Sequence, residues 1–288
     1  FPGTPVAVLH TSRDGHWWFV ASERYSAWIE QRRIALGDAV EVFRYADSPP
    51  PYLIVTGAAV ETVFTPERPS LSKLRLDMGV RSPLLPNRQH TVNGQHPFTA
   101  YTIELPERRA DGTLRLTPAL IPRSADVATD YLPLTPRNLL TQSFKFLGER
   151  YGWGHAYEGR DCSGLVSEIY ASFGVLLPRN TGDQAASPAL NRIAFDTPVS
   201  HEQRLQTIRA LQVGDLVYIP GHVMLVIGHA DGMTWVIHDT VGVTYLDDDG
   251  QPQRITLNGV SVTPLEPLRV SATESYIDRI TAIQRLRP

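Results

Sequence analysis

Arg160-Asp161-Cys162-Ser163-Gly164-Leu165 decides how the rest of this 288-residue chain is read. Cys162 is its only cysteine. After it, Leu165, Val166, Ile169, Tyr170 and Phe173 recur with the 3.6-residue period of an amphipathic helix, and Gly174 stands where a helix stop belongs. The cysteine therefore opens a helix. Helix N-termini carry partial positive charge and unpaired N–H groups. Both favour thiolate over thiol, and the thiolate is the nucleophile. A solitary cysteine is more often a small buried apolar residue, so its meaning depends on its company. Asp161, just before it, has the chemistry of an N-cap.

A cysteine nucleophile needs a base, and the base needs a group to orient it. His222 begins an apolar run, His222–Ile227, directly after Pro220-Gly221, and His238 ends the next run, Trp235–His238. Asp231-Gly232 between the runs marks a tight hairpin. Side chains alternate along strands, so two antiparallel neighbours can present both imidazoles on one face. The order nucleophile, base, orienter then falls on Cys162, His222 and His238. A histidine in third place accepts or donates according to its tautomer. Taken singly, each histidine reads more simply as a core or strand-end residue, and a bare Cys/His pair is a weak signal.

Around these runs the pattern is helix first, strands later. Thr135-Pro136 is an N-cap with proline at the first helical position, followed at helical spacing by Leu139, Leu140, Phe144 and Leu147. A polar loop, Pro178 to Gln184, follows the cysteine helix, and Thr181 within it reads as turn-forming. A helix-like stretch near 201–210 precedes a strand at Asp215–Ile219. This layout is α+β. Asp247-Asp248-Asp249-Gly250 lacks the spacing and distal Glu of a calcium loop and reads as a solvated turn.

The first half gathers most of the chain's 23 prolines and reads as turns and short strands. Val6–His10, Trp17–Val20 and Ala27–Ile29 are strand candidates, with Asp14-Gly15 as the first hairpin turn. Arg33–Gly37 looks like one helical turn ended by glycine. Tyr52–Thr56, Ala59-Val60 and Thr99–Ile103 continue the pattern. Small all-β modules of this size usually close into barrels.

Composition narrows the function classes. With 42% hydrophobic and 20% charged residues and a net charge of −3, the chain is globular and shows no basic cluster for nucleic acid. A single cysteine excludes an intramolecular disulfide and a multi-cysteine metal site, and neither metal nor cofactor is expected. No apolar run is long enough to cross a bilayer. The chain starts at Phe1 without a basic-then-apolar leader, which reads as a processed or truncated product. The cell envelope is favoured over the cytoplasm.

Several linked stretches resemble one family. Tyr151-Gly152-Trp153-Gly154, Asp161 to Val166, Leu177 to Gln184, and Leu211 to Val217 followed by Gly221-His222-Val223 are similar to the motifs of NlpC-type bacterial cell-wall cysteine peptidases. The resemblance spans about 131 to 245. It implies a papain-like fold and hydrolysis of the γ-D-glutamyl-diamino acid amide bond of peptidoglycan stem peptides, L-Ala-γ-D-Glu-diamino acid. Carried over, Cys162 is the nucleophile, His222 the general base and acid, and His238 the orienting group. The Cys162 backbone N–H would hold the oxyanion. Asp161 and Ser163 would bind the substrate's free amino end, Trp153 would wall the cleft, and Thr181 would touch substrate. For Trp153 core packing is an even alternative. The loop His155–Gly159 departs from the short Gly-rich stretch usual before the nucleophile, which bears on pocket shape.

The N-terminal half resembles two consecutive bacterial SH3-like (SH3b) modules. The first is carried by Thr4–Leu9 with Trp17, Trp18 and Ala27-Trp28-Ile29, the second by Asp77-Met78-Gly79 with Leu84-Leu85-Pro86. The expected domains are 1–52 and 53–130, each SH3-like, and 131–288, the peptidase. In relatives with this layout the first module narrows the site, so that only stem peptides with a free N-terminal L-alanine enter. Glu23 and Tyr25 are the residues assigned to that contact, against the simpler reading of a solvated loop. The rival functions are an amidase or acyltransferase on the same scaffold, and an inactive wall-binding protein.

Overall fold

The run of β-prone segments and Asp-Gly turns in the first third folds as a succession of short antiparallel strands. The computed structural model describes residues 1–86, 90–195 and 199–286. The chain divides into two compact units, Phe1–Pro133 with Tyr170–Leu176, and Leu134–Ile169 with Leu177–Pro288. The molecule is mixed α/β with a β-rich N-terminal region.

In the first unit β1 (Ala7–Thr11), β2 (Trp17–Ala21) and β3 (Ser26–Glu30) form a three-stranded antiparallel meander. The Asp14-Gly15 turn joins β1 to β2: the Asp14 carboxylate accepts the His16 N–H at 3.0 Å, and Gly15 supplies a φ of 73°. Trp18 and Val20, two residues apart on β2, turn inward and pack with Ile34. The helical turn expected at 33–37 is absent. One 3₁₀ turn lies earlier, at Gln31–Arg33. Leu36 instead pairs its backbone with the chain at 112–114 through Leu36 N–H to Gly112 O (3.0 Å) and Leu114 N–H to Leu36 O (2.7 Å). Gly37 is a close-approach residue, since a Cβ there would lie 2.7 Å from the Leu114 side chain. The helix comes after it. α1 (Ala39–Ala46) is capped by Asp38, whose carboxylate accepts the Val40 N–H at 2.8 Å.

β4 (Tyr52–Val55), β5 (Ala59–Glu61), β6 (Arg75–Asp77), β7 (Arg81–Leu85), β8 (Ala100–Arg108), β9 (Leu114–Pro122) and β10 (Val127–Ala128) complete this unit. They form a five-stranded sheet in the order β10-β4-β7-β8-β9 and a separate β5-β6 pair. Leu53, Val55, Leu76, Ile103, Leu105 and Ile121 fill the core between them.

The second unit begins with α2 (Pro136–Phe144), capped as expected by Thr135, whose hydroxyl accepts the Asn138 N–H at 3.2 Å. α3 (Cys162–Ala171) follows, with Leu165, Val166 and Ile169 fully buried. Residues 178–184 are not a continuous loop: α4 (Thr181–Ala186) occupies their end, so Thr181 is a first-turn helical residue. After α4 come β11 (Asn191–Ala194), α5 (His201–Arg209), β12 (Leu216–Ile219), β13 (His222–Ala230), β14 (Met233–Leu246), β15 (Pro252–Pro264), α6 (Tyr276–Arg279) and β16 (Ala282–Arg285). The strands form one antiparallel sheet in the order β11-β16-β12-β13-β14-β15. Asp231 and Gly232, both at positive φ, close the β13–β14 hairpin. Asp247 closes the β14–β15 hairpin by accepting the Asp249 and Gln251 N–H groups, a solvated turn. Among the described residues no helix is long and apolar enough to cross a membrane.

Candidate active site

Asp161 builds the start of α3. Its Oδ1 accepts the Gly164 N–H at 2.8 Å, the bond of an N-cap, and its Oδ2 accepts the Gly154 N–H at 3.0 Å. Arg179 grips both carboxylate oxygens, at 3.1 and 2.7 Å, and also donates to Ser163 Oγ at 2.8 Å. Burial would push the Asp161 carboxyl up, but Arg179 and the two N–H groups outweigh it and hold the group below the usual carboxylate range. The first turn of α3 is thereby fixed from its own carboxylate outward.

The segment before α3 is held in an unusual form. His155, Tyr157 and Glu158 all have positive φ. Such backbone is uncommon for residues with a Cβ and costs of order 1 kcal/mol or more each. Bonds from both sides hold it: the Gly154 N–H on Asp161, and the His155 ring 2.8 Å from Glu168 Oε1. Glu168 also accepts from Arg160 Nε at 2.7 Å, and Arg160 reaches both Glu149 oxygens. The His155 ring presses on the start of α3 so closely that a Cβ at position 164 would lie 2.8 Å from it. This contact accounts for the glycine two residues after the cysteine.

Cys162 thus stands at the first position of α3, only 7% exposed. Its thiol faces the backbone that enters β13, with Sγ 4.0 Å from the Gly221 carbonyl oxygen and the Val223 N–H directed at it. The helix start alone leads one to expect an easily ionised thiol. Burial overrides it and pushes the thiol up to about 11, with the Asp161 and Asp239 charges adding to the rise. The same burial pulls the His222 imidazole down to about 4. Transfer of the proton from sulfur to imidazole makes both charges at once, and their attraction at low dielectric offsets the desolvation of each.

β13 and β14 carry the imidazoles. The pairing Leu225↔Ile237 sets the register, so His222 and His238 share a face of the hairpin. His222 Nε2 lies 2.8 Å from His238 Nδ1. Behind it, His238 Nε2 lies 3.1 Å from the hydroxyl of Thr263 on β15. His238 is wholly buried, which holds its pKa well below the ordinary histidine value, with His222 as a second cause. Two opposite proton placements satisfy donor–acceptor matching along this row, and one of them leaves His222 a base. With Nε2–H of His222 donated to His238 Nδ1, and Nε2–H of His238 donated to Thr263, the lone pair of His222 sits on Nδ1, free to take a proton.

Cys162 and His222 line one open pocket of about 360 Å³, together with Tyr151, Gly221 and Asp239. Asp239 was not anticipated. It follows His238 in an apolar strand, is fully buried, and neither carboxyl oxygen has a partner among the described residues. Burial first, then the Glu149 and Asp161 charges, push it up to about 8, so it is a neutral acid at pH 7. The half-buried Tyr151 phenol is also raised, by burial and then by Cys162. Tyr151, Arg179 and Thr263 are further residues of this site that motif reading left without a role. An arginine two residues before a helix start was the available signal for Arg179, whereas Thr263 lies on a strand that showed no pattern of its own.

The remaining candidates are placed as follows. Ser163 is buried and spends its hydroxyl on Asp161 and Arg179. Trp153 is 80% exposed, which excludes core packing, and it is not among the residues lining the pocket of Cys162. Thr181 opens α4 beside the buried Gln184, which bonds the Ser163 and Pro178 carbonyls. Glu23 and Tyr25 lie in the tight turn between β2 and β3 of the first unit, both exposed, where the Tyr25 N–H donates to Ser22 Oγ. No group of three or more His, Cys, Asp or Glu suited to a metal ion occurs among the described residues.

The chain is similar to known proteins in sequence and in fold. Residues 148–258 match the NlpC/P60 family, and residues 1–30 match the SH3 domain of SH3b1 type. Dipeptidyl-peptidase 6 of Lysinibacillus sphaericus is 24% identical over 242 residues, covering 83% of this chain and 78% of that protein. The γ-D-glutamyl-L-lysine dipeptidyl-peptidase of Bacillus cereus is 28% identical over 204 residues, and the matched part spans 68% of this chain and about half, 49%, of that relative. An NlpC/P60 endopeptidase from Photobacterium damselae subsp. piscicida has a similar fold, with a TM-score of 0.74 at 19% identity over 99% of this chain and 64% of its own. An NlpC/P60 family protein from Bacillus cereus aligns over 100% of this chain and 81% of its own, with a TM-score of 0.64 at 22% identity.

Proposed function

From a chain that carries an NlpC/P60 domain, that of a cysteine peptidase and peptidoglycan hydrolase family, behind an SH3b1-type module, we propose an endopeptidase of bacterial cell-wall stem peptides. The bond cut is the amide between γ-D-glutamate and the diamino acid of L-Ala-γ-D-Glu-diamino acid. The names of the two curated relatives support this reading, since both are dipeptidyl-peptidases and one is named for the γ-D-glutamyl-L-lysine bond. The observation that carries it is the shared pocket of Cys162 and His222, with His238 2.8 Å behind the imidazole.

The chemistry follows from the placement. His222 Nδ1 takes the thiol proton as Cys162 Sγ attacks the γ-carbonyl carbon. The carbonyl oxygen becomes an oxyanion, held by the Cys162 backbone N–H at the start of α3 and by the Tyr151 hydroxyl on the same pocket. The C–N bond then breaks, and His222 passes its proton to the leaving amine. A thioester remains on Cys162. Water, deprotonated by His222, attacks that thioester and releases L-Ala-γ-D-Glu and the thiol. His238 keeps the His222 ring and tautomer in place through both steps. Asp161 and Ser163 are proposed to receive the free ammonium of the N-terminal L-alanine, so a blocked N-terminus is not accepted.

Mass spectrometry of the products tests this. L-Ala-γ-D-Glu-diaminopimelate should yield L-Ala-γ-D-Glu, the N-acetylated peptide should persist, and Cys162→Ala should bind without cutting. Equal turnover of free and blocked peptides would remove the requirement for a free alanine. Transfer of the acyl group to an added amine in place of water would favour the acyltransferase reading.

A further inference from the structure

The pocket of Cys162 and His222 continues over the β14–β15 hairpin, and that wall is basic. Arg254, Arg269 and Arg279 all line it. Strand pairing brings two of them together: Thr244 on β14 pairs with Arg254 on one side and is bridged to Arg269 on the other. Residues directly opposite one another share a sheet face, and neighbouring strands lie about 4.8 Å apart, so the two arginines rise from one face with only Thr244 between them. Arg269 is held by the carbonyls of Ser271 (3.4 Å) and Ala272 (2.9 Å), which fix the guanidinium without neutralising it. Arg254 has no carboxylate partner among the described residues. Arg279 is 3.5 Å from Glu274. Among the described residues the one acidic side chain on the same pocket is Asp239, neutral by burial.

The direction of the pocket sets what meets these arginines. His222 must reach the leaving amine to protonate it, so the leaving residue lies on the His222 side. Asp161 and Ser163, proposed for the other end of the substrate, do not line this pocket. We infer that the β14–β15 wall is the leaving-group subsite and that it selects a diamino acid bearing a second carboxylate over lysine. The inference rests on the endopeptidase reading above and adds the identity of the residue released. Guanidinium groups grip carboxylates through two parallel N–H bonds, whereas a lysine ammonium at the same place meets like charge.

The test is steady-state kinetics on three peptides, L-Ala-γ-D-Glu followed by diaminopimelate, by its side-chain amide, or by lysine. The wild type should favour the free diaminopimelate peptide by about tenfold or more in kcat/KM, the scale of one charge-assisted contact. Arg269→Gln and the exposed Arg254→Gln should each raise KM for that peptide and bring its ratio to the lysine peptide towards one. An equal or reversed wild-type preference, or arginine variants that slow all three peptides alike, would overturn the subsite. Failure to cut any of them would instead sink the endopeptidase reading. The subsite is then read directly by protection of Cys162 from iodoacetamide, where protection by free diaminopimelate but not lysine supports it, and equal protection or none overturns it.

Discussion

His222 Nε2 and His238 Nδ1 stand 2.8 Å apart on neighbouring strands, and the second ring is fully buried while the first reaches the pocket. This pairing divides the labour of the site. In the mechanism we propose, the first imidazole exchanges protons with substrate and sulfur, and the second, sealed away, holds the first. Thr263 extends the row by one hydroxyl.

If His238 orients and does not itself transfer protons, its loss should appear in kcat. His238→Ala should lower kcat on the order of 10²- to 10⁴-fold with KM little changed, as for the orienting member of other triads. His238→Gln, which can still accept at the inner position, should recover part of that loss. A variant altered only in KM would contradict the role.

The acid limb of activity should lie low. The base must be neutral to accept a proton, and burial draws His222 down to about 4, below its ordinary 6.5. Activity on a stem peptide should therefore persist through pH 5–6 and fall only at more acid pH. A kcat/KM profile with its acid midpoint at or above 6.5 would show that the imidazole is not buried as described.

Stability should pass through a maximum near pH 6.5. Native His222 releases a proton that the unfolded chain keeps between about 4 and 6.5, and His238, also held well below its ordinary value by burial, acts in the same direction, so across that window the unfolded state binds more protons and stability rises with pH. Asp239 acts oppositely. Its folded value, about 8, exceeds the ordinary 3.8, so the native state binds the extra proton and stability falls as pH rises through that window. The two histidines outweigh it below 6.5. Above 6.5 Asp239 acts alone, at up to about 1.4 kcal/mol per pH unit. Urea titrations at several pH values should show this decline from 6.5 to 8 and show it abolished in Asp239→Asn. An unchanged decline in the variant would assign it elsewhere.

Arg179→Ala should destabilise the second unit by about 2 kcal/mol, because it strands a largely buried Asp161 carboxylate. The loss should shrink in the double variant with Asp161→Asn, which removes the stranded charge. Chemical denaturation of the four proteins in a cycle measures it, and additive losses would mean that the pair is not coupled.

Short-range signals carried much of the fold. Thr135-Pro136 capped α2, the 3.6 period after Cys162 delivered α3, and Asp231-Gly232 closed the hairpin that carries both histidines. These are contacts within a few residues, and the chain states them directly. At Arg33–Gly37 the same reasoning misplaced a helix. Leu36 spends its backbone on a segment more than seventy residues away, and α1 starts only after Gly37. In the same way Thr181, read as part of a turn, is the first residue of α4.

The sequence by itself determined which residues could do chemistry, a lone cysteine at a helix start and two histidines on one hairpin, because residue type and periodicity are local properties. The tertiary structure alone decided their electrostatic state. Asp239 becomes a neutral acid, and the thiol resists ionising despite its helix, because desolvation depends on every element packed around a group and not on its neighbours in the chain. It also decided that Asp161 is bound to Arg179 and that Arg254 and Arg269 share a wall, since both pairs are joined only by folding.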